Sequence, residues 1–320
     1  MNPELLCRRE YDAAELARLH RPHWFDRNKI AIHQMLEAAL PAPAGTVAVT
    51  RWQSGPRAER LPAAWPEVEI RADYFTYDPD PAAWHVNFAD SHLFGSYGSA
   101  LLAQDELQVV EHPILASVRE ALLDEGLPAL TVDKGRPTPV LVRGAERRCE
   151  LDLAPNPADG RPQGLYGNVF SRTEPAAVLR SVRPIDPPTT SHILAMEAPK
   201  HGGDRYTLAT LRVVLETAVT GFVAARLETP GGEPTIHTGY WGCGVYGGNR
   251  TLMTQLQVVA ARIAGIPRVV FHAGQAPEVA KTALTNLDRF GSWVVETGSE
   301  ARLLAELEAQ GLEWGASDGN

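Results

Sequence analysis

The 320-residue chain reads as an α/β protein in which helices pack on a sheet. Three observations predict this. Its second half alternates β-like and helix-patterned runs: 192–198, 206–227, 235–240, 251–263 and 268–273. Five glycines, Gly239, Gly242, Gly244, Gly247 and Gly248, crowd the junction between the β-like run Thr235–Tyr240 and the helical run Thr251–Ile263. The composition, 44% hydrophobic and 22% charged, is ordinary for a globular chain, and no internal repeat interrupts it.

Taken in order, Glu4–His20 and Asn28–Leu40 are expected to be helices, the second ended by Pro41 and Pro43. Thr46–Trp52 and part of Val68–Tyr77 are β-like, separated by the proline-broken loop Ser54–Pro66. In Trp84–Ala89, Trp84, Val86 and Phe88 alternate with His85 and Asn87, which predicts a half-buried strand. A Gly/Ser loop follows, then helices Ala100–Val110 and Ile114–Leu123, the latter closed by Gly126. Ala129–Val132, Pro139–Val142 and Arg147–Leu153 are short β candidates, with a turn at Arg143–Glu146. Ala154–Gly167, with three prolines and three glycines, reads as a loop. Ala177–Val182 and His192–Ala198 read as strands on either side of Asp186-Pro187-Pro188. Lys200–Arg205 is a polar turn before the helix Tyr206–Leu227. After the glycine-rich stretch come the strand Arg268–Ala273, the helix Pro277–Leu287, a β run at Ser292–Val295, the helix Ser299–Ala309 and a frayed tail. The domain reading is an N-terminal accessory region over 1–80, mainly helical and packed on a core over 81–310, with a tail over 311–320.

A net charge of −9 argues against broad binding to nucleic-acid backbones. Cys7, Cys149 and Cys243 are too few and too scattered for a disulfide framework or a zinc site, which fits a reducing cytoplasm. The first residues lack the apolar run of a secretory signal, and no uninterrupted apolar run approaches a membrane span. A cytoplasmic protein is therefore expected, monomeric by default, with no metal and no cofactor.

Strand, glycine-rich loop and helix start together make an anion cradle, because glycine admits close backbone approach and a helix start presents unpaired N–H groups. The stretch fits neither G-x-G-x-x-G nor the P-loop pattern. A tight connection that binds nothing is the alternative. Asp105 and Glu106 follow the Gly/Ser loop. At a helix start, one such acid can hold a hydroxyl while the other serves as general acid or base. Acids also favour the first helical turn for dipole reasons alone. Asn87 and Asp90 flank a strand end, where α/β sheets place ligand contacts. His237 and His272 read as structural, and His85, His92 and His112 form no ligand-like constellation. H-E-x-x-H, G-x-S-x-G and Cys-x-x-Cys are absent from the sequence.

Three segments together resemble the poly(ADP-ribose) glycohydrolases. In Trp84–Leu115, VNFAD is followed after thirteen residues by Gln104-Asp105-Glu106, similar to the family's V-D-F-A-N and Gln-Glu-Glu with the same spacing. ILAMEAP (Ile193–Pro199) is similar to the family's apolar strand with Met-Asp-Ala. TGYWGCGVYGGN (Thr238–Asn249) looks very like T-G-N-W-G-C-G-A-F-G-G-D and is the most specific match. The resemblance implies a macrodomain-like mixed sheet sandwiched between helices, with ADP-ribose, or an ADP-ribosylated protein or nucleic acid, as substrate. By position it implies Glu106 as the catalytic acid and Asp105 as its ribose-binding neighbour. It places Asp90, Gly95, Ser96 and Gln104 at the ribose and first loop. The diphosphate would lie along Gly242, Cys243, Gly244, Val245, Tyr246, Gly247 and Gly248.

Four departures from the family pattern bear on the site. Phe94-Gly95-Ser96 replaces three glycines, Asp90 replaces Asn, Asp105 replaces Glu, and Tyr240 replaces Asn. Three functions follow as expectations: hydrolysis of the ribosyl bond in poly- or mono-ADP-ribosylated substrates, binding of ADP-ribose without cleavage, or use of another nucleotide-diphosphate derivative.

Overall fold

The computed structural model describes residues 3–55, 64–74, 76–77, 80–200, 202–297 and 300–319. The N-terminal elements are β1 (Glu4–Asp12), α1 (Ala13–Leu19), α2 (Arg27–Ala39), β2 (Thr46–Gln53) and β3 (Glu67–Arg71). Next come β4 (Ala83–Ala89), α3 (Gln104–Glu111), α4 (Ile114–Asp124), β5 (Val132–Asp133), β6 (Arg136–Pro137) and β7 (Val140–Leu151). The rest are α5 (Pro175–Leu179), β8 (Val182–Glu197), α6 (Leu208–Glu228), β9 (Thr235–Gly239), α7 (Arg250–Ala264), β10 (Arg268–His272), α8 (Pro277–Thr297) and α9 (Glu300–Ala309).

Eight strands form one sheet in the order β1-β2-β7-β8-β4-β9-β10-β3, and β5 pairs with β6 separately. From β1 to β8 neighbours run antiparallel, and from β8 to β3 they run parallel. The parallel half brings the C-terminal ends of β8, β4, β9 and β10 to one edge, where an α/β sheet opens toward a ligand. Side chains alternate faces along each strand. Trp84, Val86, Leu194 and Met196 pack with α6, α7 and α9, while Ala89, Ile193 and Ala195 pack with α1 and α4. Helices thus cover both faces of a mixed sheet, and the fold class is α/β.

α6 starts where the Thr207 side chain accepts a hydrogen bond from Thr210 N. Leu211, Leu215, Val219 and Phe222 on one face are fully buried in the core. Each such side chain stabilises the fold by roughly 1.5–3 kcal/mol. The helix has the length and hydropathy to cross a membrane, yet 67% of its most apolar window is buried within the fold. Trp84 Nε1 donates to Thr229 Oγ1 at 2.8 Å, joining the start of β4 to the end of α6.

Several elements differ from expectation. Glu4–Asp12 is a strand, not a helix: it lies on the sheet edge against β2, and only after Asp12 caps Glu15 N does α1 begin. Edge pairing overrides the helix-forming composition of this segment. The expected turn Arg143–Glu146 is instead part of continuous β7, with a register shift between Arg143 and Ala145. Gly144 has φ +85°, and a Cβ there would lie 2.3 Å from Thr46 O, so a glycine bulge takes the place of a turn. Ala177–Val182 contains the helix α5, and β8 then runs through Asp186-Pro187-Pro188 as one strand. Over Val182–Ser191 it pairs with β7 alone, so the prolines sit on an open edge. α3 begins at Gln104, four residues later than expected. Ser292–Val295 is helical, within α8. The first 80 residues supply three strands of the main sheet as well as α1 and α2. Asp78 and Pro79, next to the expected boundary between 80 and 81, lie outside the described residues.

His112 is fully buried: Nδ1 lies 2.8 Å from Gln108 O and Nε2 lies 3.0 Å from Ser191 Oγ. Burial pushes its pKa down to about 3. Below about pH 6.5 the unfolded chain binds a proton there that the folded chain refuses, so stability falls with pH through this group. The stability cost of His112→Gln should therefore shrink by up to about 2 kcal/mol between about pH 7 and pH 5. Urea unfolding of both proteins at each pH checks this, and a constant difference would contradict it.

Candidate active site

Beyond His85 the pairing of β4 with β9 ends, although both strands continue. The amide of Gln104 takes over the edge of β4: Oε1 accepts from Phe88 N at 2.7 Å and Nε2 donates to Val86 O at 3.1 Å. Gln104 thus spends its amide on the strand and fixes the start of α3 beside it. Asn87, fully buried on β4, donates from Nδ2 to Asp105 Oδ1 at 3.0 Å. Glu106 Oε2 accepts from Ala103 N at 3.0 Å, satisfying an amide at the helix start. Both acids are buried, Asp105 at 8% and Glu106 at 4% exposure. Burial raises the pKa of each; Asp105 is raised further by its charged neighbour, while Lys29 of α2 pulls both down. Together they hold a proton at higher pH than isolated carboxyls would.

Asp90, just past β4, gathers a second cluster. Its Oδ2 accepts from Lys200 Nζ at 3.0 Å and from Tyr246 OH at 2.9 Å. Its Oδ1 accepts from His92 N at 3.2 Å and Ser91 Oγ at 3.0 Å. Burial alone would raise its pKa, but these hydrogen bonds hold the carboxyl well below the usual carboxylate range. Glu197, at the end of β8, stands 3.7 Å from Lys200 Nζ, and burial raises its pKa. The carboxylate at position 90 is therefore charge-balanced by a lysine that the sequence pattern placed in an anonymous polar turn.

The glycine-rich loop is held from beneath. Trp241 is fully buried and donates from Nε1 to Met196 O at 3.0 Å. Gly242 has φ +73°, and a Cβ there would stand 2.4 Å from Ala198 Cβ. Gly247 N donates to Gly244 O at 3.0 Å, and Gly248 N to Gly242 O at 2.9 Å. Asn249 then caps α7 through Leu252 N. Burial pushes the Cys243 thiol up to about 12, so it stays protonated and inert. Val245 is exposed and Tyr246 is turned onto Asp90.

In the first loop, Phe94 takes φ +50°, the conformation a glycine would adopt. Its ring is fully buried with Leu93, Val109 and Leu115, so it leaves the loop surface clear. Gly95 and Ser96 stand exposed, and no hydrogen bond among the described residues ties them to Gly242–Gly248. The structure thus brings Asp90, Asp105, Glu106 and Tyr246 into mutual electrostatic range.

Sequence reasoning missed several neighbours. Trp314 stacks on Tyr206 with ring centres 4.1 Å apart, and Gly315 N donates to Gly247 O at 2.7 Å. The segment expected to fray instead lies against the glycine-rich loop, with Asp318 near Gly244. Tyr166 stands beside Gln104 and Glu106. His85, His237 and His272 form a buried row across β4, β9 and β10: His85 stacks on His237 at 4.5 Å, and His272 Nδ1 meets Asp73 Oδ1 at 2.7 Å. His85 and His237 are register partners on adjacent parallel strands, and His272 stands two positions further along β10, opposite Gly239. No group of three or more metal-ligating side chains occurs among the described residues.

Residues 166–281 match the family model described as poly(ADP-ribose) glycohydrolase (PARG), Macro domain fold. No curated protein matches the chain. Among solved structures, poly(ADP-ribose) glycohydrolase from Thermomonospora curvata is 18% identical, covering 87% of this chain and 85% of its own, with a TM-score of 0.45. The enzyme from Deinococcus radiodurans in complex with ADP-ribose is 14% identical, covering 88% and 95%, with a TM-score of 0.43. The family match covers residues 166–281, which include the glycine-rich loop, and its description agrees with the macrodomain-like fold expected from the sequence.

Gly242 tests the loop directly. Gly242→Ala must relieve both a positive φ and the contact with Ala198. It should destabilise the protein by about 1–3 kcal/mol in urea unfolding. Wild-type stability in that variant would contradict the loop geometry.

Proposed function

We propose that the protein hydrolyses the ribosyl glycosidic bond of ADP-ribosylated protein or nucleic acid, releasing ADP-ribose, with Glu106 as general acid. The observation that carries this reading is the buried acid pair at the start of α3, beside Asp90 and Tyr246. The sheet edge and the helix start supply the anion cradle for a diphosphate, and the acid pair supplies a retained proton. In the reaction, the Glu106 carboxyl gives its proton to the leaving oxygen as the C–O bond breaks. Water then adds to the oxocarbenium-like anomeric carbon and returns a proton to the carboxylate. Asp105, oriented by Asn87, holds ribose hydroxyls, and Gly242–Gly248 wrap the diphosphate. Asp90 and Tyr246 lie between these two regions, while Gly95 and Ser96 border the ligand from the first loop. Gln104 acts through α3, by fixing its position on β4.

A second reading, a reader that holds ADP-ribose without cleaving it, is favoured by one contact: Glu106 is folded back on Ala103 N, which a catalytic acid must leave or share. Glu106→Gln separates the two. Under the hydrolase reading it lowers ADP-ribose release by about 10²–10⁴-fold while calorimetry still detects ADP-ribose binding. Unchanged release from modified protein would refute the mechanism.

The pH profile carries the sign of the raised pKa. The protonated acid is the active form, so release should fall at higher pH than an ordinary glutamate carboxyl would set. Release rates from about pH 5 to about pH 9 test this; a fall already complete near the ordinary glutamate value of about 4.3 would contradict it.

A further inference from the structure

Among the described residues, Lys29 is the one buried cation beside the acid pair that the proposed reaction does not use. It sits in the first turn of α2, in the N-terminal part of the chain, at 1% exposure. Its Nζ donates to Tyr97 O and Leu101 O, both at 2.7 Å. Those two carbonyls belong to the segment that leads from the first loop into α3. The same segment is held by Gly98 O, which accepts from Phe25 N and Asp26 N at 3.0 Å each. α2 packs beside α3, with Ile32 and Leu36 against Val110, so the ammonium is carried to a fixed place.

Two carbonyl acceptors do not by themselves call for a charge. A neutral amide has two N–H donors and could serve both. A buried ammonium is costly unless anions lie near. The groups facing it are Asp26 on its own helix and Asp105 and Glu106 on α3. Glu106 in turn faces Lys29, Asp105, Asp90 beyond β4 and Tyr166.

We propose that Lys29 is a positioning residue for the acid pair: its ammonium ties down the strand-to-helix segment that presents Asp105 and Glu106 and keeps a buried positive charge behind them. This rests on the acid pair being the working site. Without Lys29, burial and mutual repulsion would leave both carboxyls protonated to higher pH, and a Glu106 that cannot ionise cannot take the proton back from water. The tie and the charge are carried by one atom, so the N-terminal region enters the chemistry without touching the ligand.

Carboxyl carbon NMR of glutamate-labelled protein tests this, with Glu106 assigned by its loss in Glu106→Gln. Lys29→Met and Lys29→Gln should raise the Glu106 midpoint by about one pH unit or more, and move the basic limb of ADP-ribose release the same way. Lys29→Arg, which keeps the charge, should stay close to wild type. Amide exchange over Tyr97–Ala103 should quicken in Lys29→Met and Lys29→Gln. Unchanged midpoints alongside faster exchange would reduce Lys29 to a structural tie and overturn the proposal. If the Lys29 variants do not fold, Asp105→Asn decides, because it removes the neighbouring carboxyl that is itself raised to about 8: the Glu106 signal should still show a second inflection near pH 8, where Lys29, pushed down to about 8 by burial, loses its proton. Its absence also overturns the proposal. Titration as described, with no ADP-ribose release by wild type, would instead remove the hydrolase reading and leave the coupling intact.

Discussion

The constraint on which the site depends is the parting of β4 from β9. The two strands pair through His85 and His237, then separate while β4 runs on to Ala89. A strand edge left open inside a fold carries unpaired backbone groups, which cost free energy unless satisfied. Gln104 supplies both partners to β4 through one side-chain amide. That bond pair does more than satisfy the edge. It fixes the first residue of α3, so Asp105 and Glu106 must follow at the mouth of the opening. Asn87, on the same stretch of β4, then orients Asp105 from below.

Charge is distributed around this opening in a way that lets carboxylates coexist. Asp90, Glu197, Asp105 and Glu106 would repel a diphosphate if all were bare. Lys200 and Tyr246 absorb the charge of Asp90, and Lys29 stands behind the acid pair. Asp90 is thereby held ionised while Asp105 and Glu106 are pushed toward protonation. Neighbouring carboxyls with opposite tendencies are what acid–base division of labour requires.

Some of this was legible in the sequence and some was not. Local patterns with a strong physical cause were readable: the alternation in Trp84–Ala89, the glycine junction before α7, and the long apolar face of α6. Elements set by distant partners were not. Glu4–Asp12 looks helical in isolation and becomes a strand only because β2 offers an edge. The turn at Arg143–Glu146 and the break at Asp186-Pro187-Pro188 rest on reliable breakers, yet Gly144 makes a bulge and the prolines fit an open strand edge. The acid pair was visible as adjacent letters, whereas Lys29 and Lys200 reach the site from 76 positions before and 95 after Asp105, as the numbering shows. Phe94 shows the limit of reading a departure from side-chain type alone: its backbone keeps the glycine-like conformation and its ring goes to the core.

The central claim is that the opening at the C-terminal ends of β4, β8 and β9 holds an ADP-ribose unit with its glycosidic end at the acid pair. A crystal structure of Glu106→Gln grown with ADP-ribose tests it most directly. The account predicts the diphosphate on the backbone of Gly242–Gly248 and the terminal ribose against Asp105 and residue 106. A ligand bound elsewhere, or none bound at millimolar ADP-ribose, would contradict it.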